Sequence, residues 1–284
     1  MRKTNLLIIA AFICICIAFI PATQAQPAPA SNGHFITANG LKLYYEESGQ
    51  GTPLLLLHGF GRTASDWNYG NVTKELSKHY RVIAIDLPGH GRSDYMDTTN
   101  VYMHKKAAEY ILAALDAIHI DSVYVVGHSS GAFITLYLAT LRPGFVKKIV
   151  VMSGQLYYSK QTRNFITATA DPGRNTENNN EMIKMHGRQK GTLLVNQFWN
   201  FRQLYGDPSF TPDVLATITA KTFIIHGDND PIAPVSNAWE MFQNISNAHL
   251  WVVPNVGHLP HIGPDNEKDF LKQVSLFLDG AWDK

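Results

Sequence analysis

Cysteine is nearly missing from this 284-residue chain: there are two, Cys14 and Cys16, and both lie in an amino-terminal apolar run. Without that run the chain has none, which excludes disulfides, zinc–thiolate sites and a cysteine nucleophile together. An excess of one charge is also absent. The 24 basic and 23 acidic residues leave a formal charge of +1, so the basic footprint of a nucleic-acid binder is not there. The apolar run itself, Leu6 to Ile20, falls short of the roughly 20 residues that span a bilayer as a helix. No internal repeat is found. What remains is ordinary for a globular protein with a sizeable core: 45% hydrophobic and 17% charged residues, in a length suited to one large α/β domain or two small ones.

Arg2 and Lys3 precede the apolar run, and Pro21-Ala22-Thr23-Gln24-Ala25-Gln26 follows it. A positive start, a short apolar stretch and small residues before a cut describe a signal peptide. It is expected to span residues 1–25, with cleavage after Ala25. An uncleaved membrane anchor is the alternative. A lipoprotein signal is disfavoured, because Ile13 and Ile15 precede the cysteines where a small residue is needed. The exported product, secreted or periplasmic, would carry a formal charge of −1 and hold no stable membrane association. Residues 26–33, rich in Pro, Ala and Ser, read as a flexible leader.

Asn39-Gly40 between the runs Phe35–Ala38 and Leu41–Tyr45 predicts a hairpin. From Pro53 onward, apolar runs alternate with helical stretches. Strands are expected at Leu54–Leu57, Val82–Ile85, Val123–Val126, Ile149–Met152, Thr222–Ile225 and Leu250–Val253. Helices are expected near Trp67–His79, Tyr102–Ile118, Ser130–Leu141, Ser236–Asn244 and Asn266–Leu278. Such alternation predicts a mostly parallel, twisted sheet with helices on both faces. Residues 154–219 break the pattern and read as a small helical cap inserted between two strands of a core formed by 34–153 and 220–284. In the cap, Leu194, Phe198, Phe201 and Tyr205 recur at helical spacing, while disorder suits only the Asn-rich Asp171–Asn180 stretch.

The stretch Val123-Tyr124-Val125-Val126-Gly127-His128-Ser129-Ser130-Gly131 carries the chemistry. A strand ending in Gly-x-Ser-x-Gly and running into a helix puts the central serine, Ser129, on a tight turn with its hydroxyl raised above the sheet. Ser130 opens the helix, so its backbone N–H is free to hold an oxyanion. Four further stretches accompany it: His58-Gly59-Phe60-Gly61, Asp86-Leu87-Pro88-Gly89-His90-Gly91-Arg92-Ser93, His226-Gly227-Asp228-Asn229-Asp230-Pro231 and Gly257-His258. With these motifs in this order, the chain resembles the α/β-hydrolase family from about Gly40 onward.

A serine hydroxyl needs a general base. His258, after the last expected strand, reaches the same sheet edge as Ser129; His261 is its rival, and the resemblance favours His258. The base needs an acid, and both Asp228 and Asp230 follow the strand Thr222–Ile225. The resemblance implies Asp230, and implies the Phe60 backbone N–H as second oxyanion donor beside Ser130. Phe60, Phe198 and Trp199 are the candidate pocket residues. His128 reads as turned away from the nucleophile, His58, His90 and His226 as hydrogen-bonded loop residues, and His104 and His186 as surface or packing residues.

The expected activity is that of an exported, carboxylesterase-like serine hydrolase acting on a small carboxylic ester or lactone, with no cofactor and no metal. The same three residues could instead serve an amidase or aminopeptidase, a cofactor-free perhydrolase or a C–C hydrolase. A non-catalytic ligand-binding protein on the same fold is the reading outside enzymes. Oligomeric state is not encoded in any feature of the sequence.

Overall fold

Runs that are apolar at every position, such as Leu54-Leu55-Leu56-Leu57, need cover on both faces, and this requirement sets the architecture. In the computed structural model, residues 32–96, 99–263 and 266–283 are described. The expected signal peptide, and all of the expected leader up to Ser31, lie outside them. Among the described residues no helix is long and apolar enough to cross a membrane.

Eight strands form one sheet: β1 (Asn32–Ala38), β2 (Leu41–Ser48), β3 (Pro53–Leu57), β4 (Arg81–Ile85), β5 (Val123–His128), β6 (Val146–Met152), β7 (Lys221–Gly227) and β8 (Ala248–Val253), in the order β1-β2-β4-β3-β5-β6-β7-β8. The β1–β2 and β2–β4 pairs are antiparallel and the rest are parallel. Asn39 and Gly40 both have positive φ at the tip of the first hairpin. Asn32 and Gly33 belong to β1 and not to a leader, since they pair with Glu47 and Glu46.

The leucines of β3 alternate between two cores. Leu55 and Leu57 pack with α2 (His104–Ala117) and α3 (Ser130–Leu141) through residues such as Ile111 and Ile134, while Leu54 and Leu56 pack with α1 (Val72–Leu76) and α9 (Asn266–Leu278) through Leu76 and Phe270. All four are fully buried, each worth about 2 kcal/mol relative to exposure.

The stretch expected as one helix over Trp67–His79 is two pieces. A 3₁₀ segment, Ala64–Asn71, is broken at Tyr69 (ψ 141°) and Gly70 (φ +67°) before α1 starts. Between β6 and β7 lie four helices: α4 (Lys160–Thr169), α5 (Glu177–His186), α6 (Arg188–Asn200) and α7 (Pro212–Ala216). The Asp171–Asn180 stretch is ordered by local hydrogen bonds: Thr176 caps α5 by accepting from the Asn179 amide, and Asn179 Nδ2 donates to the carbonyls of Asp171 and Arg174. The last helix of the core before β8 is α8 (Val235–Asn244).

Parallel register brings Leu57, Ile85, Gly127, Met152 and Ile225 to one edge of the sheet. The chain leaves β3 to build β4 on one side and returns to build β5 on the other. The crevice at such a reversal, beyond the carboxyl ends of the strands, is where open α/β sheets bind their ligands.

Candidate active site

Ser129 sits between β5 and α3 with φ +53° and ψ −115°, outside the regions an L-residue favours. Strain of this kind persists only where surrounding contacts over-determine it. Two hydrogen bonds do so here: the Ser129 N–H donates to Met152 O (2.9 Å), and its carbonyl accepts from Phe133 N–H (3.1 Å). The flanking glycines are required by space. A Cβ on Gly127 would lie 2.2 Å from Thr135 Oγ1, and one on Gly131 would lie 2.1 Å from Leu57 O.

Asp230 and His258 come from the loops that follow β7 and β8. His258 Nδ1 is 2.7 Å from Asp230 Oδ2, while Asp230 Oδ1 accepts from the amides of Ile232 (2.8 Å) and Ala233 (2.9 Å). Burial pushes the Asp230 carboxyl up, but His258, these hydrogen bonds and nearby His226 outweigh it, and the group is held below its ordinary value. An ionised carboxylate only accepts, so the His258 proton belongs on Nδ1 and Nε2 is left as the base. Asp228 is exposed and serves the turn, its Oδ1 accepting from Val256 N–H at 3.3 Å. Among the described residues His261 has no carboxylate partner. It is buried against Trp67, Phe270 and His128, and burial, with His258 and Arg62 nearby, lowers it to about 3.

His128 is not a bystander. Its Nε2 donates to the His258 carbonyl (2.8 Å), and the two rings are 5.0 Å apart. The residue before Ser129 thus holds the loop that carries His258 beside the elbow. Phe60 follows Gly59, on which a Cβ would come within 3.5 Å of Ser129 Cβ, so its backbone borders Ser129. Among the described residues nothing accepts from the Phe60 amide. The Phe60 ring meets His90, Tyr102, Phe201 and Phe198 at centroid distances of 4.8, 5.2, 4.9 and 5.7 Å. Phe60 and Phe198 are therefore brought together, whereas Trp199 is not in this cluster: it packs under the Arg202 guanidinium at 4.0 Å.

His58 and His90 are loop residues, as their hydrogen bonds to Gly59 O, Leu87 N and Pro88 O show. His186 is neither a surface nor a passive packing residue. Its Nδ1 accepts from Gly91 N–H and its Nε2 donates to Gly61 O, both at 2.9 Å, clamping the end of α5 onto the Phe60 loop. His104 is fully buried and faces Ser130 Oγ at 3.0 Å and Asp207 Oδ2 at 3.5 Å. No motif announces either residue; the only sequence hint is that both are histidines beside helix termini. Among the described residues no cluster of His, Cys, Asp and Glu has the arrangement of a metal site.

Comparison with known proteins agrees with this geometry. A profile described as "Alpha/beta hydrolase family" matches residues 54–270. A 2-hydroxy-6-oxo-6-(2'-aminophenyl)hexa-2,4-dienoic acid hydrolase of Metapseudomonas resinovorans is 25% identical over 86% of this chain and 90% of its own length. A 2-hydroxymuconate semialdehyde hydrolase of Pseudomonas sp. strain CF600 is 28% identical over 88% and 94%. The crystal structure of a serine hydrolase involved in carbazole degradation is similar to this chain with a TM-score of 0.70 and 25% identity, over 88% of this chain and 99% of that one. The chain belongs to the alpha/beta hydrolase family and is a hydrolase of that fold.

Proposed function

We propose that the protein is a serine hydrolase that cleaves a neutral carboxylic ester or lactone with an apolar acyl group. The observation that carries this reading is the 2.7 Å contact between His258 Nδ1 and Asp230 Oδ2 on the loop that His128 ties to the strained serine. Ser129 Oγ attacks the carbonyl carbon and His258 Nε2 takes its proton. The amides of Phe60 and Ser130 receive the oxyanion, and the alcohol leaves with the proton returned by His258. Water then repeats the sequence on the acyl-enzyme. Asp230 keeps the imidazole in the needed tautomer and stabilises its charged form.

The relatives named above act on dienoic acids or a semialdehyde, which supports a second reading, C–C hydrolysis by the same residues. The charge around the aromatic cluster argues for the first. Arg62 is paired with Asp66 (2.5 Å), Lys190 donates to the carbonyls of Gly91 and Ser93, and Arg163 donates to those of Tyr158, Arg202 and Leu204. These three cations are held by protein acceptors, although among the described residues Arg202, over the Trp199 ring, is not, and the buried acid on this side, Asp207, would repel a substrate carboxylate. The pattern of residues 1–25 supports export; a mature chain starting at Gln26 in an extracellular or periplasmic fraction is the expected outcome of amino-terminal sequencing.

The full chain would be offered p-nitrophenyl esters of rising acyl length, lactones, an aminoacyl anilide and a 2-hydroxy-6-oxo-hexa-2,4-dienoate, beside Ser129→Ala. Multiple turnovers on esters, lost by at least about 10³-fold in the variant, are expected. Faster turnover of the dienoate would establish the C–C reading instead. A single stoichiometric burst followed by silence would mean a ligand-binding protein.

A further inference from the structure

Behind Ser129 lies a second serine–histidine–aspartate set: Ser130, His104 and Asp207. His104 Nε2 is 3.0 Å from Ser130 Oγ. Asp207 Oδ2 accepts from the His104 backbone N–H and faces His104 Nδ1 at 3.5 Å, an ion-pair distance that favours the proton on Nδ1 and leaves Nε2 to accept from the serine. The set cannot act as a nucleophilic triad, because Ser130 is 2% exposed and His104 and Asp207 are equally buried. Substrate does not reach that hydroxyl.

Its place in the chain gives it another use. Ser130 supplies an oxyanion amide, and that amide belongs to the peptide plane joining it to Ser129, whose φ of +53° is strained. Contacts on both sides over-determine such a plane. The Ser129 side is held by the bonds to Met152 and Phe133. On the Ser130 side the only side-chain anchor among the described residues is His104. That ring is wedged between Tyr102, Phe133 and Phe201, with centroids at 5.2, 5.0 and 5.4 Å, so it can transmit a position. Asp207, in the insertion between α6 and α7, fixes where the ring sits. Burial pushes the Asp207 carboxyl up, but His104 and the hydrogen bonds around it prevail and keep it below its ordinary value.

We infer that His104 and Asp207 are positioning residues which, through Ser130 Oγ, aim the Ser130 N–H at the oxyanion and make residues 154–219 part of the oxyanion hole. This rests on the serine-hydrolase reading above and adds to it. Losing an oxyanion donor outright costs about 10²–10³ in rate, and a misaimed one should cost less.

The test uses the full chain and two probes: p-nitrophenyl butyrate for turnover, and a fluorophosphonate whose rate of attachment to Ser129 reads the same hole without depending on the preferred ester. His104→Ala and Ser130→Ala should each lower kcat and the labelling rate about 10- to 100-fold, with KM within about twofold. The double variant should be no slower than the slower single one, because both changes cut one connection. His104→Gln, whose amide can still reach Ser130 Oγ, should recover most of the loss. Ser130→Ala removes one buried oxygen and keeps the test open if His104→Ala fails to fold. Unchanged kcat in folded Ser130→Ala, or multiplying effects in the double variant, would overturn the inference. If wild-type Ser129 does not take up the fluorophosphonate, the serine-hydrolase reading itself falls, and the inference with it.

Discussion

At the scale of single residues, two histidines three positions apart face opposite environments. His258 shares a hydrogen bond with a buried carboxylate, whereas among the described residues His261 Nδ1 has no partner and its ring is enclosed by Trp67, Phe270 and His128. His258→Ala should lower kcat by several orders of magnitude. His261→Ala should leave kcat within about threefold while reducing thermal stability, because it removes packing and not chemistry. The reverse pattern in steady-state kinetics would exchange their roles. Asp230→Asn should lower kcat by roughly 10²–10⁴, since an amide cannot hold the imidazolium. Asp228→Asn, which alters an exposed turn, should change it less than about threefold. Ser129 can be singled out in the sequence because it follows a strand inside a glycine-marked motif, and the family resemblance picks Asp230 over Asp228 and His258 over His261. His104 and Asp207 cannot: they are 103 positions apart, neither sits in a motif, and only the folded chain brings them together.

At the scale of elements, the strands are readable because a fully buried parallel strand is apolar at every position, as β3 is. Helices built on apolar periodicity alone are less secure. The expected Trp67–His79 helix contains Gly70, and the chain uses its positive φ to turn there. The apolar pattern Leu194–Tyr205 likewise outruns its helix: α6 ends at Asn200, and Tyr205 is 77% exposed, stacked over Arg163. The elbow between β5 and α3 leaves no such latitude. Gly131→Ala would drive a methyl into the β3 backbone at Leu57 O, 2.1 Å away. Overpacking against main chain costs about 1–3 kcal/mol or more, which should lower Tm by roughly 5–10 °C. Activity should be lost even below that temperature, because α3 must shift and take the Ser130 amide with it. A calorimetric scan paired with ester hydrolysis reads both effects. Full activity in Gly131→Ala would mean that the elbow is looser than its contacts indicate.

At the scale of the whole molecule, the histidines that organise the site also set its response to acid. His58, His90, His128, His226 and His261 are all buried, and burial lowers every one of them; for His128 and His261 the positive form of His258 adds to the effect. In the folded protein these rings take a proton less readily, whereas in the unfolded chain each does so near its ordinary value of 6.5. Below pH 6.5 the unfolded state therefore binds more protons, and stability falls with falling pH, by up to about 1.4 kcal/mol per pH unit for each ring. Asp207 and Asp230, held below their ordinary 3.8, contribute stability above that pH and lose it only as pH drops through their lower native values. They matter later, in stronger acid. A domain's net stability is about 5–15 kcal/mol, so several such rings together consume a substantial share of it before the carboxylates protonate. Acid unfolding followed by far-ultraviolet circular dichroism should accordingly have its midpoint above the carboxylate range. A fold that persists to pH 3.5 would show that these rings accept protons in place. His261→Phe keeps an aromatic ring beside Trp67 and Phe270 while removing one titrating group, so its midpoint should move to lower pH; an unmoved midpoint would take His261 out of the set.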